Sequence, residues 1–488
     1  MPNEINNLIH IPQVTVQSDW TEVVSDVLRG IVASESFWVS CYRKGSTSIH
    51  GSVQVKRNSA GSRSVELTGH DGVIVEKITN YSFYVSCDGL GITKAIIKGS
   101  KATFKKLHTS AIKSMDISPG GELYVTGDND GILKVGDTKD GSVRRELRGH
   151  FVDITTCRFF PSGQVILSGA SDFQLRIWSA LDGSNPVTLK GHTKGVTDSA
   201  IIERGKNVLS SARDGTIRLW ECGSASIIRT MGNHTCAVNK ITLGSFPAES
   251  IIERRSDIEL DSREVATNDK LVICALEDGS ISGIDLRSKE EAFTEKSYRS
   301  IPLYSCTYSS KHNFFAVGSA EGVIEVFDIR NIKYLFILTA TMSHLTIYNV
   351  TYESSIVSNN LFSIQRNDSA ILDLVSIEET GDLLVGQGDG SAFQIQTVVA
   401  SNISQASQEF IGFDMDPIYS IRVINNGRFI YAAGRDGKVW TKNSWPQQMP
   451  NPGDERNVML VLQRKLVCLK SPFLESNTLA HATIGRYN

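Results

Sequence analysis

The sequence predicts an all-β protein: a seven-bladed β-propeller preceded by a small N-terminal β-domain. Two observations predict this fold. One is a repeat with a period of 42 residues, and the other is a series of seven short turns that each separate two β-rich runs. The composition agrees with them, since the 488 residues include 40 glycines but only 12 prolines, a balance typical of a chain with many tight turns.

The repeat is clearest in three segments that align without gaps. Each begins with a histidine, has serine or threonine 18 residues later and has aspartate 4 residues after that; in two segments tryptophan follows 6 residues further on. A period near 42 residues is typical of four-stranded propeller blades. The three sets are His108, Thr126 and Asp130, with Gly136 in place of tryptophan; His150, Ser168, Asp172 and Trp178; and His192, Ser210, Asp214 and Trp220.

Seven turn signals set the number of blades. A short acidic turn between two apolar runs favours a β-hairpin because the glycine that usually follows the acid adopts positive φ at little cost. Two gaps between successive turns exceed the period by 22 and 26 residues, which we interpret as surface loop insertions at about 246–269 and 341–369. The turns are Asp130-Gly131, Asp172-Phe173, Asp214-Gly215, Asp278-Gly279, Glu321-Gly322, Asp389-Gly390 and Asp436-Gly437.

Residues 1–91 precede the repeats and are too many for a tail. Ser36–Cys41 matches Ser82–Cys87, and both alternate aromatic with β-branched residues, which favours strands. We predict a small N-terminal β-domain over 1–91, with an eighth, degenerate blade as the alternative. The propeller is predicted over 92–445, and the segment Gly91–Leu107 is expected to complete its last blade and close the ring. Residues 446–488 form a C-terminal tail of unknown structure.

The repeats resemble those of WD40 proteins, in which aspartate, histidine, serine or threonine, and tryptophan form a hydrogen-bonded chain within a blade. The resemblance implies this network in the three sets above, incomplete in the first because of Gly136. A serine, a histidine and an aspartate also suggest a hydrolase triad. Because the set recurs at a fixed period, whereas a catalytic set is needed once, we interpret it as architecture.

No other catalytic or metal-binding signal stands out. The chain contains no GxSxG, GxxxxGK[ST] or HExxH motif, its eight cysteines include no CxxC pair, and Asp128–Gly131 lacks the full spacing of a calcium loop. An enzymatic propeller, with a channel site of His, Asp and Glu, is therefore the least favoured reading. We predict a protein that is not an enzyme and that needs neither a cofactor nor a metal.

The run GHTKGVTDSAIIERGKNVLSSARDGTIRLWECG at 191–223 resembles the corresponding repeat of the proteasomal ATPase-associated factor family. This resemblance is strong over about 145–223 and weaker elsewhere. It implies a non-catalytic WD40 chaperone for assembly of the base of the proteasome regulatory particle. Such a chaperone binds C-terminal domains of AAA ATPase subunits and delays their docking on the core particle. Other assembly chaperones are a second expected class of partner.

Propellers commonly bind partners on the face where loops from several blades converge, and the residue before each turn acid is expected to lie there. Arginine is favoured at interfaces because its planar group makes bidentate contacts. We therefore assign Arg213 and Arg435 to acidic partner groups, and Glu277 and Asp153 to basic ones. The candidate partner-binding residues are Arg213, Arg435, Glu277, Asp153, Asn129 and Lys194.

A second function fits the same fold: a substrate receptor or scaffold of a cullin-type ubiquitin ligase. Phe327–Arg330 and Ile284–Arg287 resemble the end of the motif that such receptors present, although both lack its tryptophan. The net charge of −3 gives no bias toward nucleic acid or anionic membrane, and the N-terminus lacks a basic region followed by an apolar stretch, so we predict a protein of the cytoplasm and nucleus that binds neither nucleic acid nor membrane. We expect it to be a monomer.

Overall fold

A computed structural model confirms the propeller: seven sheets of four antiparallel strands form a closed ring in the described part of the chain. Each sheet is one blade, and its first strand lies innermost. The innermost strands contact one another in sequence order, and the strand of blade 7 contacts that of blade 1, which closes the ring. The structure describes residues 8–58, 64–99, 102–104, 107–246, 261–288, 291–331, 337–341, 344–348, 360–397, 403–411, 415–424 and 427–443.

The N-terminal elements precede the blades in the chain. They are β1 (Leu8–His10), β2 (Gln13–Val16), α1 (Trp20–Arg29), β3 (Ser34–Tyr42), β4 (Ile49–Arg57), β5 (Val65–His70), β6 (Ile74–Thr79), β7 (Ser82–Cys87), a 3₁₀ turn (Asp88–Leu90), β8 (Ile92–Lys98) and β9 (Ala102–Phe104).

Blades 1 to 4 are continuous in sequence. Their strands are β10 (Ile112–Ile117), β11 (Leu123–Asp128), β12 (Ile132–Asp137) and β13 (Val143–Arg148) in blade 1; β14 (Ile154–Phe159), β15 (Val165–Ala170), β16 (Gln174–Ser179) and β17 (Val187–Lys190) in blade 2; β18 (Val196–Ile202), β19 (Asn207–Ala212), β20 (Ile217–Glu221) and β21 (Ser226–Met231) in blade 3; and β22 (Val238–Ser245), β23 (Lys270–Leu276), β24 (Ser280–Asp285) and β25 (Glu291–Lys296) in blade 4.

Blades 5 to 7 depart from this regular order. Their strands are β26 (Leu303–Ser309), β27 (Phe314–Ser319), β28 (Val323–Asp328) and β31 (Asn360–Gln365) in blade 5, where a hairpin of β29 (Ile337–Thr341) and β30 (His344–Tyr348) precedes β31; β32 (Ile371–Ser376), β33 (Leu383–Gln387), β34 (Ala392–Ile395) and β35 (Gln408–Phe410) in blade 6; and β36 (Ile418–Ile424), β37 (Phe429–Gly434), β38 (Val439–Asn443) and the N-terminal β9 in blade 7. Short 3₁₀ turns span Tyr298–Ser300 and Ile329–Asn331.

The N-terminal segments extend three blades. Strand β1 adds a parallel strand to β31 of blade 5, β8 adds a parallel strand to β35 of blade 6, and β9 completes blade 7. The expected closing strand over 91–107 is therefore wrong in part. Only its end, β9, closes the ring, because β8 pairs with β7 of the N-terminal domain on its other edge.

The N-terminal domain is mainly β-structure, as predicted, but it also contains a helix that the sequence reading missed. Residues Trp20, Val23, Val24 and Val27 lie on one face of α1 and are buried against the sheets. The Trp20 ring lies 5.7 Å from that of Phe37 and 5.1 Å from that of Phe83, measured between centroids. The two phenylalanines belong to the matching segments of β3 and β7, so the weak repeat marks two strands that share one core.

A buried ion pair fixes the seam between this domain and blade 6. Arg366 and Glu409 contact each other with side chains that are 1% and 3% exposed, and the Arg366 guanidinium lies 4.4 Å from the Phe393 ring centroid. Burial raises the pKa of Glu409, an effect that Arg366 and the backbone N–H of Val14 oppose. Because Val14 belongs to β2, the pair joins the two parts of the molecule.

The two predicted insertions differ in the structure. Of the first insertion, 246 and 261–269 lie among the described residues, and Glu264 forms an ion pair with Arg229 of β21. The second is not simply a surface loop, because it contributes β30 and β31, and β31 is a strand of blade 5. The C-terminal segment 446–488 lies outside the described residues.

All seven blades share one irregularity that the sequence reading missed. The pairing between the first two strands shifts register after the first residue of the innermost strand, which is the geometry of a β-bulge and redirects the extra side chain. In three blades that side chain bonds to the next blade, and in blade 1 Lys113 lies 3.5 Å from the Tyr419 ring centroid of blade 7. The three bonds run from Thr155 Oγ1 to the Val196 carbonyl (2.8 Å), from Thr197 Oγ1 to the Val238 carbonyl (2.5 Å) and from Asn239 Nδ2 to the Leu303 carbonyl (2.9 Å).

Candidate partner-binding face

The seven turns between the second and third strands of the blades lie on one face of the ring, which we name the turn face. In every blade the residue before the turn acid donates its backbone N–H to the carbonyl that immediately precedes the innermost strand, at 2.8–3.1 Å. The turns are therefore equivalent even in blades whose sequences have diverged. The seven donors are Asn129, Ser171, Arg213, Glu277, Ala320, Gly388 and Arg435.

In blade 3 the structure brings the four side chains of the repeated set together. His192 Nδ1 lies 3.0 Å from Asp214 Oδ2, and His192 Nε2 lies 2.7 Å from Ser210 Oγ. Trp220 Nε1–H donates to the same hydroxyl at 2.8 Å. Blade 2 repeats the arrangement, with distances of 2.8 Å for His150–Asp172, His150–Ser168 and Trp178–Ser168.

Blade 1 requires a correction, because the aspartate that bonds His108 is Asp128 and not Asp130. His108 Nδ1 lies 2.7 Å from Asp128 Oδ2, and Nε2 lies 2.8 Å from Thr126 Oγ1. Asp128 is the last residue of β11 and also accepts the backbone N–H groups of Asp130 and Ile132, so it organises the turn as well. Asp130 lies within that turn and is exposed.

The missing tryptophan of blade 1 is replaced from another strand. A Cβ atom on Gly136 would lie 2.3 Å from the ring of Tyr124, so the tyrosine occupies the space that a side chain at 136 would need. The Tyr124 hydroxyl donates to the Gly141 carbonyl at 2.9 Å, and its ring stacks on Phe104 of β9. The closing strand of the ring thus packs on this substitute.

The networks hold their aspartates ionised and one histidine neutral. Burial alone would raise the pKa of Asp214, but hydrogen bonds from the Thr193 and Thr216 backbone and from His192 hold it well below its usual value. Burial would also raise the pKa values of Asp128 and Asp172, but hydrogen bonds with His108 and His150 lower them. Burial lowers the pKa of His192, although Asp214 opposes that shift. These groups therefore serve as fixed hydrogen-bonding partners.

Three predicted cations are available on the turn face. Lys194, Arg213 and Arg435 are exposed, and none forms an ion pair or side-chain hydrogen bond with the described residues. They do not form a single cluster, because Arg213 belongs to blade 3 and Arg435 to blade 7, with blades 1 and 2 between them. Lys194 lies in the loop that leads into blade 3, on the same side as Arg213.

The remaining predicted partner residues differ in availability. Glu277 is exposed but already accepts a hydrogen bond from Asn239 Nδ2 at 2.6 Å. Asp153 is half-buried, and its backbone carbonyl accepts the N–H of Ser171. Asn129 is exposed at the tip of the blade 1 turn.

Sequence reasoning missed a group of exposed apolar side chains on the turn face. Phe151, Val152 and Phe173 all belong to blade 2 or its entry loop and are at least 41% exposed. A sequence signal existed, because Phe173 follows the turn aspartate at the position where the six other turns have glycine.

Sequence reasoning also missed charged side chains of alternating sign on the innermost strands. Lys240 of blade 4 pairs with Asp373 of blade 6, past blade 5, which places these groups in the central channel. Burial would lower the pKa of Arg158, but the carboxylates of Asp198, Asp116 and Asp373 raise it. The pairs are Arg158–Asp198 (3.4 Å), Lys240–Asp198 (3.8 Å), Lys240–Asp373 (3.8 Å), Arg422–Asp373 (3.0 Å) and Arg422–Asp116 (3.4 Å).

These channel charges balance, with three acids and three bases; Asp198 and Asp373 are buried, and the other four side chains are 13–28% exposed. Removing one partner of such a pair leaves an uncompensated buried charge, so the set fixes how the blades meet. Within the described ranges, no group of three or more His, Cys, Asp or Glu side chains has the arrangement of a metal site. No helix in the same ranges is long and apolar enough to cross a membrane.

The ring of four-stranded blades, the repeated Asp–His–Ser/Thr–Trp network and the common turn face define a WD40 β-propeller. The family described as "WD domain, G-beta repeat" matches residues 100–137, 141–179 and 183–221. These matches span β9 to β20 and include the residues of all three networks.

Relatives that match most of the chain place it in a particular family. Proteasomal ATPase-associated factor 1 of Bos taurus is 38% identical over 426 residues, which cover 87% of this chain and 96% of the relative; the Homo sapiens protein is 37% identical with the same coverage. Probable proteasomal ATPase-associated factor 1 of Dictyostelium discoideum is 34% identical over 457 residues, which cover 89% and 96%. The chain belongs to the proteasomal ATPase-associated factor 1 family.

Proposed function

We propose that this protein is a non-catalytic chaperone for assembly of the base of the 26S proteasome regulatory particle. It binds AAA ATPase subunits of the particle through their C-terminal domains. The observation that carries the proposal is a sequence match that covers 96% of the length of relatives whose names state an association with proteasomal ATPases. The turn face supports it, since it offers exposed cations from separate blades that form no ion pair with the described residues.

The proposed mechanism is steric. A propeller bound to the C-terminal domain of an ATPase subunit covers the surface that would otherwise approach the proteolytic core, so docking is delayed until the chaperone leaves. Neither a cofactor nor bond chemistry is needed for this role. The histidines and aspartates that resemble catalytic groups are engaged with one another inside the blades. We further propose that the protein acts as a monomer in the cytoplasm and nucleus and meets other assembly chaperones on the same substrate.

The ubiquitin-ligase alternative gains no support from the segments that suggested it. Arg330 donates to Asp328 at 2.6 Å within its own segment, and Asp328 is buried. Asp285 accepts the backbone N–H of Arg287 at 2.9 Å, which is ordinary turn geometry. Both Asp–Arg pairs are therefore explained as features of the ends of their strands.

The proposal is tested by affinity capture with the full chain and each proteasomal ATPase subunit in turn. We expect the wild-type chain to capture at least one subunit and the double variant Arg213→Glu, Arg435→Glu to bind it about tenfold more weakly, because two exposed charges reverse sign. The matched control is Arg204→Glu, Arg428→Glu, which reverses two exposed charges of the same blades on the opposite face.

The outcomes separate the function from the face. Capture of no ATPase subunit by the wild-type chain would overturn the proposed function. Capture that is unaffected by the first double variant would remove Arg213 and Arg435 from the interface. Co-purification of ligase adaptor subunits in place of ATPases would favour the alternative.

A further inference from the structure

Blade 2 exposes three large apolar side chains on the turn face, which we name the blade 2 patch: Phe151 (81% exposed), Val152 (41%) and Phe173 (45%). Phe151 and Phe173 each follow directly one member of a hydrogen-bonded pair, His150 and Asp172, whose Nδ1 and Oδ2 atoms are 2.8 Å apart. The backbone N–H of Phe151 also bonds to the Asp172 carboxylate. The blade network therefore holds the two segments that carry these rings next to each other. Clustered exposed apolar side chains commonly mark an interaction site.

The backbone at Phe173 supports a role outside folding. Its φ is 70°, and the glycines at the six equivalent turn positions have φ of 68–81°. A left-handed conformation favours glycine, because the Cβ atom of any other residue approaches the backbone closely. Blade 2 alone therefore keeps an exposed aromatic side chain at a strained position. Strain of this kind accumulates at functional sites.

The charges beside the patch define its polarity. On the blade 3 side, Lys194 and Arg213 are exposed and form no ion pair with the described residues. The loop that carries Lys194 lies against the blade 2 turn, since a Cβ on Gly195 would be 3.2 Å from the Ser171 Cα. The nearby Asp214 forms no ion pair with either cation in the described part of the chain, because its side chain is 6% exposed and accepts hydrogen bonds from His192 and from the Thr193 backbone N–H.

The blade 1 side of the patch has the opposite charge. Asp130 is exposed there, next to Gly131, where an added Cβ would be 2.9 Å from the Val152 carbonyl. The patch thus lies between one carboxylate and two cations. On the opposite arc of the turn face, blades 4 and 5 expose the carboxylates of Glu277 and Glu321. An acidic ligand is attracted to the blade 3 side of the patch and repelled by that arc.

We propose that the blade 2 patch, with Lys194 and Arg213, is a docking site for an acidic segment of a partner protein. The segment places a large apolar side chain against Phe151 and Phe173 and its carboxylates against the two cations. This site extends the proposed function and rests on it, because the identification of the partner as an ATPase subunit comes from that function. The chemistry of the docked segment is inferred from the exposed rings and the charges beside them.

Two substitutions separate binding from folding. Phe173→Gly installs the residue of the six other turns, so we expect an equal or higher thermal midpoint together with weaker binding of the captured ATPase subunit. Phe151→Ser removes a ring that is already solvent-exposed and should leave the midpoint unchanged. Combined, the two should weaken binding about tenfold or more, as loss of aromatic anchors usually does. A structural role alone predicts lower stability with unchanged binding, which would overturn the site.

Matched variants control for surface apolarity and for charge. Leu181 is 63% exposed on the opposite face of the same blade, so Leu181→Ser should leave binding unchanged. The pair Lys194→Glu, Arg213→Glu should weaken binding and reduce its salt dependence, whereas Glu321→Lys in blade 5 should do neither. Equal effects from both charge variants would overturn the assignment of the acidic segment to blades 2 and 3.

The site is also tested without any ATPase, so that its failure and that of the proposed function are distinguishable. A random peptide library is selected on the full wild-type chain. We expect enriched peptides that combine a large apolar residue with neighbouring Asp or Glu and that lose binding to the Phe151→Ser, Phe173→Gly variant. Absence of enrichment, enrichment of basic peptides, or equal binding to the variant would each overturn the site even where an ATPase subunit is captured.

Discussion

Blades 3 and 4 begin with histidines 42 residues apart, yet they hold these histidines in different ways. His192 bonds to a serine and an aspartate, and a tryptophan completes the set. In blade 4, Cys274 and Ile284 stand at the serine and tryptophan positions of the strand pairing, and both belong to an apolar cluster. The Nε2 atom of His234 has no hydrogen-bond partner in the described part of the chain.

The comparison shows that a blade forms without the hydrogen-bonded network. Both blades keep the same strand order, the same bulge in the innermost strand and the same turn bond to the carbonyl before it. What the network adds is a fixed loop on the turn face. In blade 3 the Thr193 N–H bonds to Asp214 at 3.0 Å, just before the exposed Lys194. The network blades are also those that carry the proposed docking residues.

Giving blade 3 the residues that blade 4 has at the serine and tryptophan positions should have the largest effect on stability. The double variant Ser210→Cys, Trp220→Ile removes a fully buried indole and both hydrogen bonds to the hydroxyl. We expect the free energy of unfolding to fall by about 3–5 kcal/mol, as for other large-to-small core substitutions. Denaturant unfolding measures this free energy, and a loss below about 1 kcal/mol would mean that the residues of blades 3 and 4 at these positions are interchangeable.

A smaller effect is expected from the hydroxyl position alone. Ser210→Ala leaves the Trp220 N–H and the His192 Nε2 without their partner in a buried site, at a cost of about 1–3 kcal/mol. Cys274→Ala in blade 4 removes one apolar group of similar size and should cost about 0.8 kcal/mol. The same unfolding measurement compares the two, and equal losses would contradict a special role for the blade 3 hydroxyl.

The smallest effect concerns pH. Burial lowers the pKa of both His192 and His234 in the folded protein, so the unfolded chain takes up protons first as the pH falls below about 6.5. Acid therefore destabilises the fold. We expect His234→Gln to change the urea midpoint little at pH 7.5 and to reduce the fall of the midpoint between pH 7.5 and pH 5.5. His192→Gln should lower the midpoint at both pH values. A wild-type midpoint that rises as the pH falls would contradict the shifts.

The regular part of the fold was predictable because its signals are local. The period fixes blades 1 to 3, and the turn acids fix the other four, since strand–turn–strand units need only neighbouring residues. Assignment of Asp130 failed because Asp128 offers a second carboxylate two residues earlier, and spacing alone cannot decide between them. His234 went unnoticed because an insertion displaces Cys274 and Asp278 from the period.

Other features escaped for physical reasons. The pairing of β1 with β31 joins segments that are more than 300 residues apart, and the residues around Leu8–His10 do not indicate which strand they pair with. The channel charges occupy two different positions of the innermost strands, the third residue in three blades and the fifth in three others, so no single column of the repeat reveals them. The spacing of Trp20, Val23, Val24 and Val27 is a readable signal for helix α1, but the prediction of a β-domain rested on other segments and did not use it. The turn face could be placed from sequence, whereas the exposure of Phe151 could not.

The contribution of β1, β8 and β9 to blades 5, 6 and 7 has a consequence for synthesis on the ribosome. Blades 1 to 4 can each form as soon as their own segment has emerged, about 40 residues for blades 1 to 3 and about 60 for blade 4, because all their strands are consecutive. The three N-terminal strands are made first but pair with β31, β35 and β38, which are made last. Their edges therefore remain open throughout translation of the first four blades, and a nascent chain stalled before Val439 has an unclosed ring with exposed strand edges.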